Sequence, residues 1–312
     1  MRRRDDPYSL RAHHQRIAGD ADQTEMTAVI DGVAQIDSGV RDEQIAGAMD
    51  DFDIVSDQPL EEWHDNDLKY DEAAGGVRLE IERRASLLGE AYPFSIESGR
   101  LVYTGARTKA YEFCLATVVA PNITSGVYVI YPRLFERLCA WLVQKSLGPL
   151  GRSFHTGAPR DGKPQPTFRQ AVEAIQREAE EFSWRPDDGL PQQGPSTGDA
   201  GLDFVVYQSS ICPRLVGQLF ILGQCACGED WTEKWNDLTL PKLGKWIKLP
   251  PVAPTRVLAV PFVLSEGYFR DATKEAGIVI DRVRVSLYSD MFDEELNQVW
   301  GEKIESAVGH VF

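Results

Sequence analysis

LDFVVYQ at residues 202–208 and GQLFILGQC at 217–225 decide the fold, because both are short, β-rich and almost continuously apolar. Runs of this kind suit central strands of a sheet that is covered on both faces. RVLAVPFVL at 256–264 and GIVIDRVRVSL at 277–287 read the same way. Helical intervals are expected at 232–238 and 267–275, with a closing helix at 293–307. The expected fold class is α/β, a mixed central sheet flanked by helices.

Working outward, LFERLCAWLVQKSL at 134–147 is apolar at 134, 135, 138, 142 and 143, follows Pro132 and stops at Gly148. These are the marks of a compact buried helix. FRQAVEAIQREAEEF at 168–182 is a second, amphipathic helix. The Gly/Pro-rich stretch 151–166 and the polar stretch 187–200 read as loops. Between 71 and 91 a helix is expected with Val77, Leu79, Ile81, Leu87 and Leu88 on one side. Arg78, Glu82, Arg83 and Arg84 fall largely on the other, and Glu80 and Glu82 read as a solvated face. Residues 101–103 and 111–119 are strand or buried helix, which periodicity does not separate. Residues 22–53 suggest one or two acidic helices.

The chain has 312 residues, with 33 basic against 48 acidic ones and a net charge of -15. Of these, 13 basic and 24 acidic residues precede residue 131, so the acidity belongs mainly to the N-terminal part. Such a balance excludes nucleic-acid binding through overall positive charge and disfavours a membrane surface. The expected organisation is a mobile arm over 1–20, an acidic, mostly helical module over 21–130 that offers a surface to a protein partner, and a catalytic-type α/β domain over 131–312. The five cysteines are an odd number. With no apolar leader and no run of eighteen apolar residues, they point to a reducing, cytoplasmic setting.

Two strands carry polar residues where apolar ones would pack more simply. Asp203 heads the first and Gln224 ends the second. A carboxylate, an amide oxygen and the backbone carbonyl of Cys225 make a hard oxygen set suited to Mg²⁺ or Mn²⁺. Other site patterns, including phosphate loops, nucleophile elbows and zinc motifs, are absent from the sequence. The five histidines are scattered. His13–His14 read as part of a solvated arm, and Cys225-x-Cys227 as two buried small residues.

These features resemble the PD-(D/E)XK nuclease superfamily, and within it the Mrr-like restriction endonuclease branch. The likeness rests on a helix bearing Glu136, on Gly201-x-Asp203 leading into apolar residues, and on a strand ending in Gln224–Cys225. It spans roughly 131–290. It implies a restriction-endonuclease-like core with Asp203 as main metal ligand, Gln224 as the second, and Glu136 assisting metal or water. Where the family's Q-x-K carries lysine, this chain has Ala226. Lys234, eight residues later, is the candidate replacement, although Glu229, Asp230 and Glu233 can hold it in a surface salt bridge instead.

The resemblance implies metal-dependent hydrolysis of DNA phosphodiesters, in the setting of bacterial restriction or anti-phage defence. Lys234, Lys242, Lys245 and Lys248 form the locally basic stretch for the DNA backbone. Trp231, Trp235 and Trp246 stack on bases or build core, with core the simpler reading. Two other classes stay open: a non-catalytic nuclease-fold subunit that binds DNA or protein, favoured by Ala226, and an adaptor that touches no nucleic acid.

Overall fold

The computed structural model describes residues 7–36, 75–157, 167–184, 201–214 and 216–312. The acidic stretch 37–53, His64, Asp199 and the loops 158–166 and 187–200 lie outside them. The chain divides into two compact units: Met1–Val119 with Val263–Gly267 and Ser289–Phe312, and Ala120–Phe262 with Tyr268–Tyr288. The expected module running to 312 therefore ends earlier. No helix among the described residues is long and apolar enough to cross a membrane.

In the first unit, α1 spans Pro7–Asp31, so most of the expected mobile arm is helix. Strand β1 (Val33–Gln35) follows, where acidic helix was expected. After α2 (75–88), strands β2 (Phe94–Glu97) and β3 (Arg100–Tyr103) complete an antiparallel sheet in the order β1-β3-β2. Residues 111–119 resolve as helix, within α3 (Ala110–Val119), which is buried from Ala110 to Thr117.

The buried stripe of α2 differs from the expected one. Val77, Ile81, Arg84 and Leu88 are enclosed, whereas Leu79 and Leu87 are exposed. Steps of four, three and four residues put these four on one helical face, and a charged residue falls on it. Arg84 is tolerated there because each nitrogen of its guanidinium has a partner. It donates to Asp22 at 2.7 Å, Glu25 at 2.9 Å, Glu80 at 3.0 Å and the Ala18 carbonyl at 2.8 Å. Glu25 also accepts from Tyr92 and Tyr111 at 2.7 and 2.8 Å. Glu80 is thus an internal anchor, not part of a solvated face.

The second unit is built on a five-stranded sheet. Helix α4 (Ile130–Ser146) leads into β4 (Gly151–His155), a strand where loop was expected. Then come α5 (Phe168–Ala179), the short β5 (Ser183–Trp184), β6 (Phe204–Gln208) and β7 (Phe220–Cys225). A 3-10 segment (Glu229–Asn236), α6 (Leu240–Leu243), β8 (Ile247–Lys248) and β9 (Thr255–Ala259) follow. α7 (Glu266–Ala276), β10 (Ile278–Ile280) and α8 (Arg282–Met291) come next, and the chain closes with α9 (Asp293–Val308), which belongs to the first unit.

The strand order is β10-β9-β7-β6-β4. β4, β6 and β7 form an antiparallel meander, and β9 returns parallel to β7 with β10 parallel beyond it. One face packs on α4, whose Leu134, Phe135, Leu138, Leu142 and Val143 are all buried as expected. The other carries a core of Phe168, Val172 and Ile175 of α5 against Val205, Tyr207, Phe220 and Leu222. The run 277–287 is only partly strand. Asp281 accepts from the Arg284 amide at 3.1 Å, a capping bond at the single residue between β10 and α8.

Candidate functional site

Alternation along the strands sorts the side chains to the two faces. On β4, Phe154 joins the α5-side core. Its neighbours Ser153 and His155 therefore face α4, and each finds a partner there. Ser153 Oγ reaches the Gln144 side chain, and His155 Nε2 lies 2.8 Å from Glu136 Oε2. A carboxylate oxygen accepts, so Nε2 is the donor in this bond. Both side chains are largely enclosed, 19% exposed for His155 and 13% for Glu136.

At the end of the sheet, Asp203 is locked by the backbone on several sides. Its amide donates to Gly223 O at 2.9 Å, and its carbonyl accepts from Thr156 N at 2.7 Å and Gly157 N at 2.8 Å. Its carboxylate Oδ2 accepts from Cys225 N at 2.7 Å. Thr156 Oγ adds a 2.6 Å bond to Leu202 O. The end of β4, the approach to β6 and the end of β7 are thereby stitched together around one aspartate.

Gly157 brings the two carboxylates to the same place. A Cβ at this position would stand 2.7 Å from Glu136 Oε2 and 3.3 Å from Asp203 Oδ1, so both oxygens border the space that the glycine leaves. Farther along the sheet, Gly223 has a similar role in packing: the Phe204 ring occupies the volume of any side chain there.

Cys225 belongs to this cluster through its thiol. Burial pushes that thiol well above its usual range, and contact with Cys139 together with the Asp203 and Glu136 charges pushes it the same way. Such a thiol stays protonated and is a poor nucleophile. None of the five cysteines forms a disulfide.

The other expected site residues make contacts of their own. Gln224 is buried on the α5-side face, with its amide nitrogen 3.2 Å from where a Gly201 Cβ would be. Lys234 pairs with Asp230 at 3.3 Å, one turn away on its own segment. Ala226 is fully buried, and its amide donates to Ala259 O at 2.9 Å. Lys242 is tied to Asp237 at 3.3 Å, while Lys245 and Lys248 are exposed. Trp231 is core, against Trp235 at 5.6 Å and Tyr268 at 5.7 Å, and Trp246 packs on Trp184 at 5.8 Å. His155 is the residue that sequence reasoning missed. Its signal was weak, since GRSFH contains a single large apolar residue and so does not announce a strand.

Among the described residues, no three His, Cys, Asp or Glu side chains are gathered closely enough to enclose a metal ion. Two carboxylate oxygens bordering one small space do fit Mg²⁺, which usually takes one or two carboxylates and leaves its other positions to water and phosphate. Glu136 and Asp203 are the residues that would hold it.

No protein-family model matches the chain, and no curated protein matches it. It has a weak structural similarity to a solved structure described as MspJI restriction endonuclease in complex with a 27-mer oligonucleotide. The two share 9% identity over 57% of this chain, with a TM-score of 0.28, and the match spans 31% of the other chain.

Proposed function

We propose that the second unit is a metal-dependent phosphodiesterase acting on DNA, with Glu136 and Asp203 at its centre. The observation that carries this reading is the convergence of those two carboxylates, from α4 and from the entry to β6, on the space beside Gly157. The order of elements supports it too. A helix bearing glutamate, an antiparallel meander and a parallel return strand follow the sequence resemblance to a restriction-endonuclease-like core.

Glu136 and Asp203 would hold a divalent cation, whose chemistry would be Lewis acidity toward a phosphoryl oxygen and activation of a water. Asp203 presents Oδ1 beside Gly157, while the Cys225 amide holds Oδ2. Glu136 presents its carboxylate from the facing helix. In the reaction the water oxygen would form a bond to phosphorus, the bond to the leaving sugar oxygen would break, and the proton given up by the water would be balanced, through solvent, by one taken up on that leaving oxygen. Gln224 would join the ligand set by turning its amide oxygen away from the core, and Lys234 would supply positive charge on leaving Asp230.

The test is incubation of the purified chain with plasmid, linear and single-stranded DNA and Mg²⁺ or Mn²⁺, beside Asp203→Ala. Cleavage that needs both metal and Asp203 is the expected result. Equal survival of DNA with both proteins, under all of these conditions, defeats the reading.

A second reading has its own observation. The family's lysine position is Ala226, sealed in the sheet, and Lys234 already has a carboxylate partner. A nuclease-fold subunit that binds DNA without cutting it accounts for both. Retained DNA binding without cleavage would favour it.

A further inference from the structure

We infer that His155–Thr156–Gly157 is the positioning element of this site, with His155 setting the Glu136 carboxylate and thereby its affinity for a divalent cation. The inference rests on the carboxylate pair of the proposed function, but not on DNA being the substrate.

Glu136 projects from a helix, and a glutamate side chain has three rotatable bonds, so its carboxylate has no fixed place unless something holds it. His155 Nε2 holds it at 2.8 Å. Its backbone is held in the sheet, because β4 pairs with β6 through His155 and Phe204. Two residues on, Gly157 borders the same Glu136 oxygen and leaves it room. The backbone amides of Thr156 and Gly157 meanwhile grip the Asp203 carbonyl. One three-residue segment thus touches the supports of both carboxylates and sets their separation. Groups that hydrogen-bond a metal-binding side chain orient it and tune its affinity.

The experiment measures Mn²⁺ binding to the full chain by electron paramagnetic resonance, in wild type, His155→Ala, His155→Gln, Glu136→Ala and the double variant His155→Ala/Glu136→Ala. Circular dichroism verifies folding. His155→Ala is expected to weaken Mn²⁺ binding by about 10- to 100-fold. His155→Gln, whose amide nitrogen can stand where Nε2 stands, should restore most of it. In the Glu136→Ala background, loss of His155 should change nothing more, because its effect passes through that carboxylate.

Wild-type affinity in His155→Ala overturns the inference. So does a folded His155→Gln as weak as the alanine variant, a further loss in the double variant, or a wild type that binds no Mn²⁺. If the Mn²⁺ pattern holds and no DNA is cut, the hydrolytic reading falls while the role of His155 stands. If DNA is cut and His155→Ala matches wild type in both assays, the reverse is true.

Discussion

The Cys225 amide donates to Asp203 Oδ2 at 2.7 Å, and the Asp203 amide donates to Gly223 O at 2.9 Å. The aspartate is therefore part of the sheet's own hydrogen bonding as well as of the candidate site. Its two roles can be separated by choosing the replacement.

Asp203→Asn keeps an acceptor for the Cys225 amide and removes the charge. It should abolish metal-dependent cleavage with a urea midpoint near that of wild type. Asp203→Ala strands the Cys225 donor in an enclosed setting, which costs about 1–3 kcal/mol. The alanine variant should thus lose both cleavage and stability, and chemical unfolding of the two variants tells the roles apart.

The Lys234–Asp230 pair has side chains 33% and 57% exposed. Exposed pairs of this kind contribute roughly 0–1 kcal/mol, so a phosphate could displace the aspartate at small cost. Asp230→Asn should raise DNA affinity or cleavage by freeing the lysine. Lys234→Ala should lower it with little change in stability. Equal activity in all three proteins would remove Lys234 from the site.

Gly223→Ala places a methyl group in the volume of the Phe204 ring. Overpacking of this kind costs about 1–3 kcal/mol. Trimming the ring with Phe204→Leu in the same chain should recover part of the loss, as thermal unfolding of the single and double variants can show.

Arg84 is fully enclosed among carboxylates, whereas the Arg78–Glu82 pair is about half exposed at 46% and 43%. Removing one partner from a buried cluster leaves uncompensated charge and costs about 3–5 kcal/mol. Removing an exposed helix pair costs about 0.5 kcal/mol or less. Arg84→Met should therefore destabilise strongly and Arg78→Ala barely, by urea unfolding.

Burial alone would raise the Glu80 carboxyl, but the bonds and charges of Arg83 and Arg84 outweigh it and hold this group below its ordinary value of 4.5. A group depressed in the folded state adds stability above its unfolded pKa and loses that contribution as pH falls through the folded one. Acid unfolding should therefore steepen below pH 4.5. Glu80→Gln should be less stable at neutral pH and should lose less on acidification.

The legibility of this fold follows from how each segment is buried. β6 and β7 are covered on both faces, so their apolar runs are continuous and readable. β4 is an edge strand with one large apolar residue, Phe154, on its core face, and its composition resembles a loop. In 277–287 the apolar residues continue through a strand and then a helix, and only the capping bond of Asp281 marks the change. In α2, side-chain class suggested that Arg84 faces outward, but the helical stripe through Val77, Ile81 and Leu88 carries it inside. At the site, Asp203 stood out as an acid leading into apolar residues, and Glu136 came only from the family resemblance. His155 did not, because its partner is 19 residues away and on a different element.

The helix Asp293–Val308 belongs to the first unit, where it packs on Ala110–Val119 and buries Leu296, Trp300 and Ile304. A ribosome makes the chain in one direction, and domains usually fold as they emerge. Here the first unit stays incomplete until after the whole five-stranded unit has been synthesised. Its α3 waits with an apolar surface uncovered for all of that time. A nascent chain stalled before residue 293 would hold every residue of the candidate site but lack the helix that completes the first unit, and that incomplete unit is what chaperones and proteases would meet.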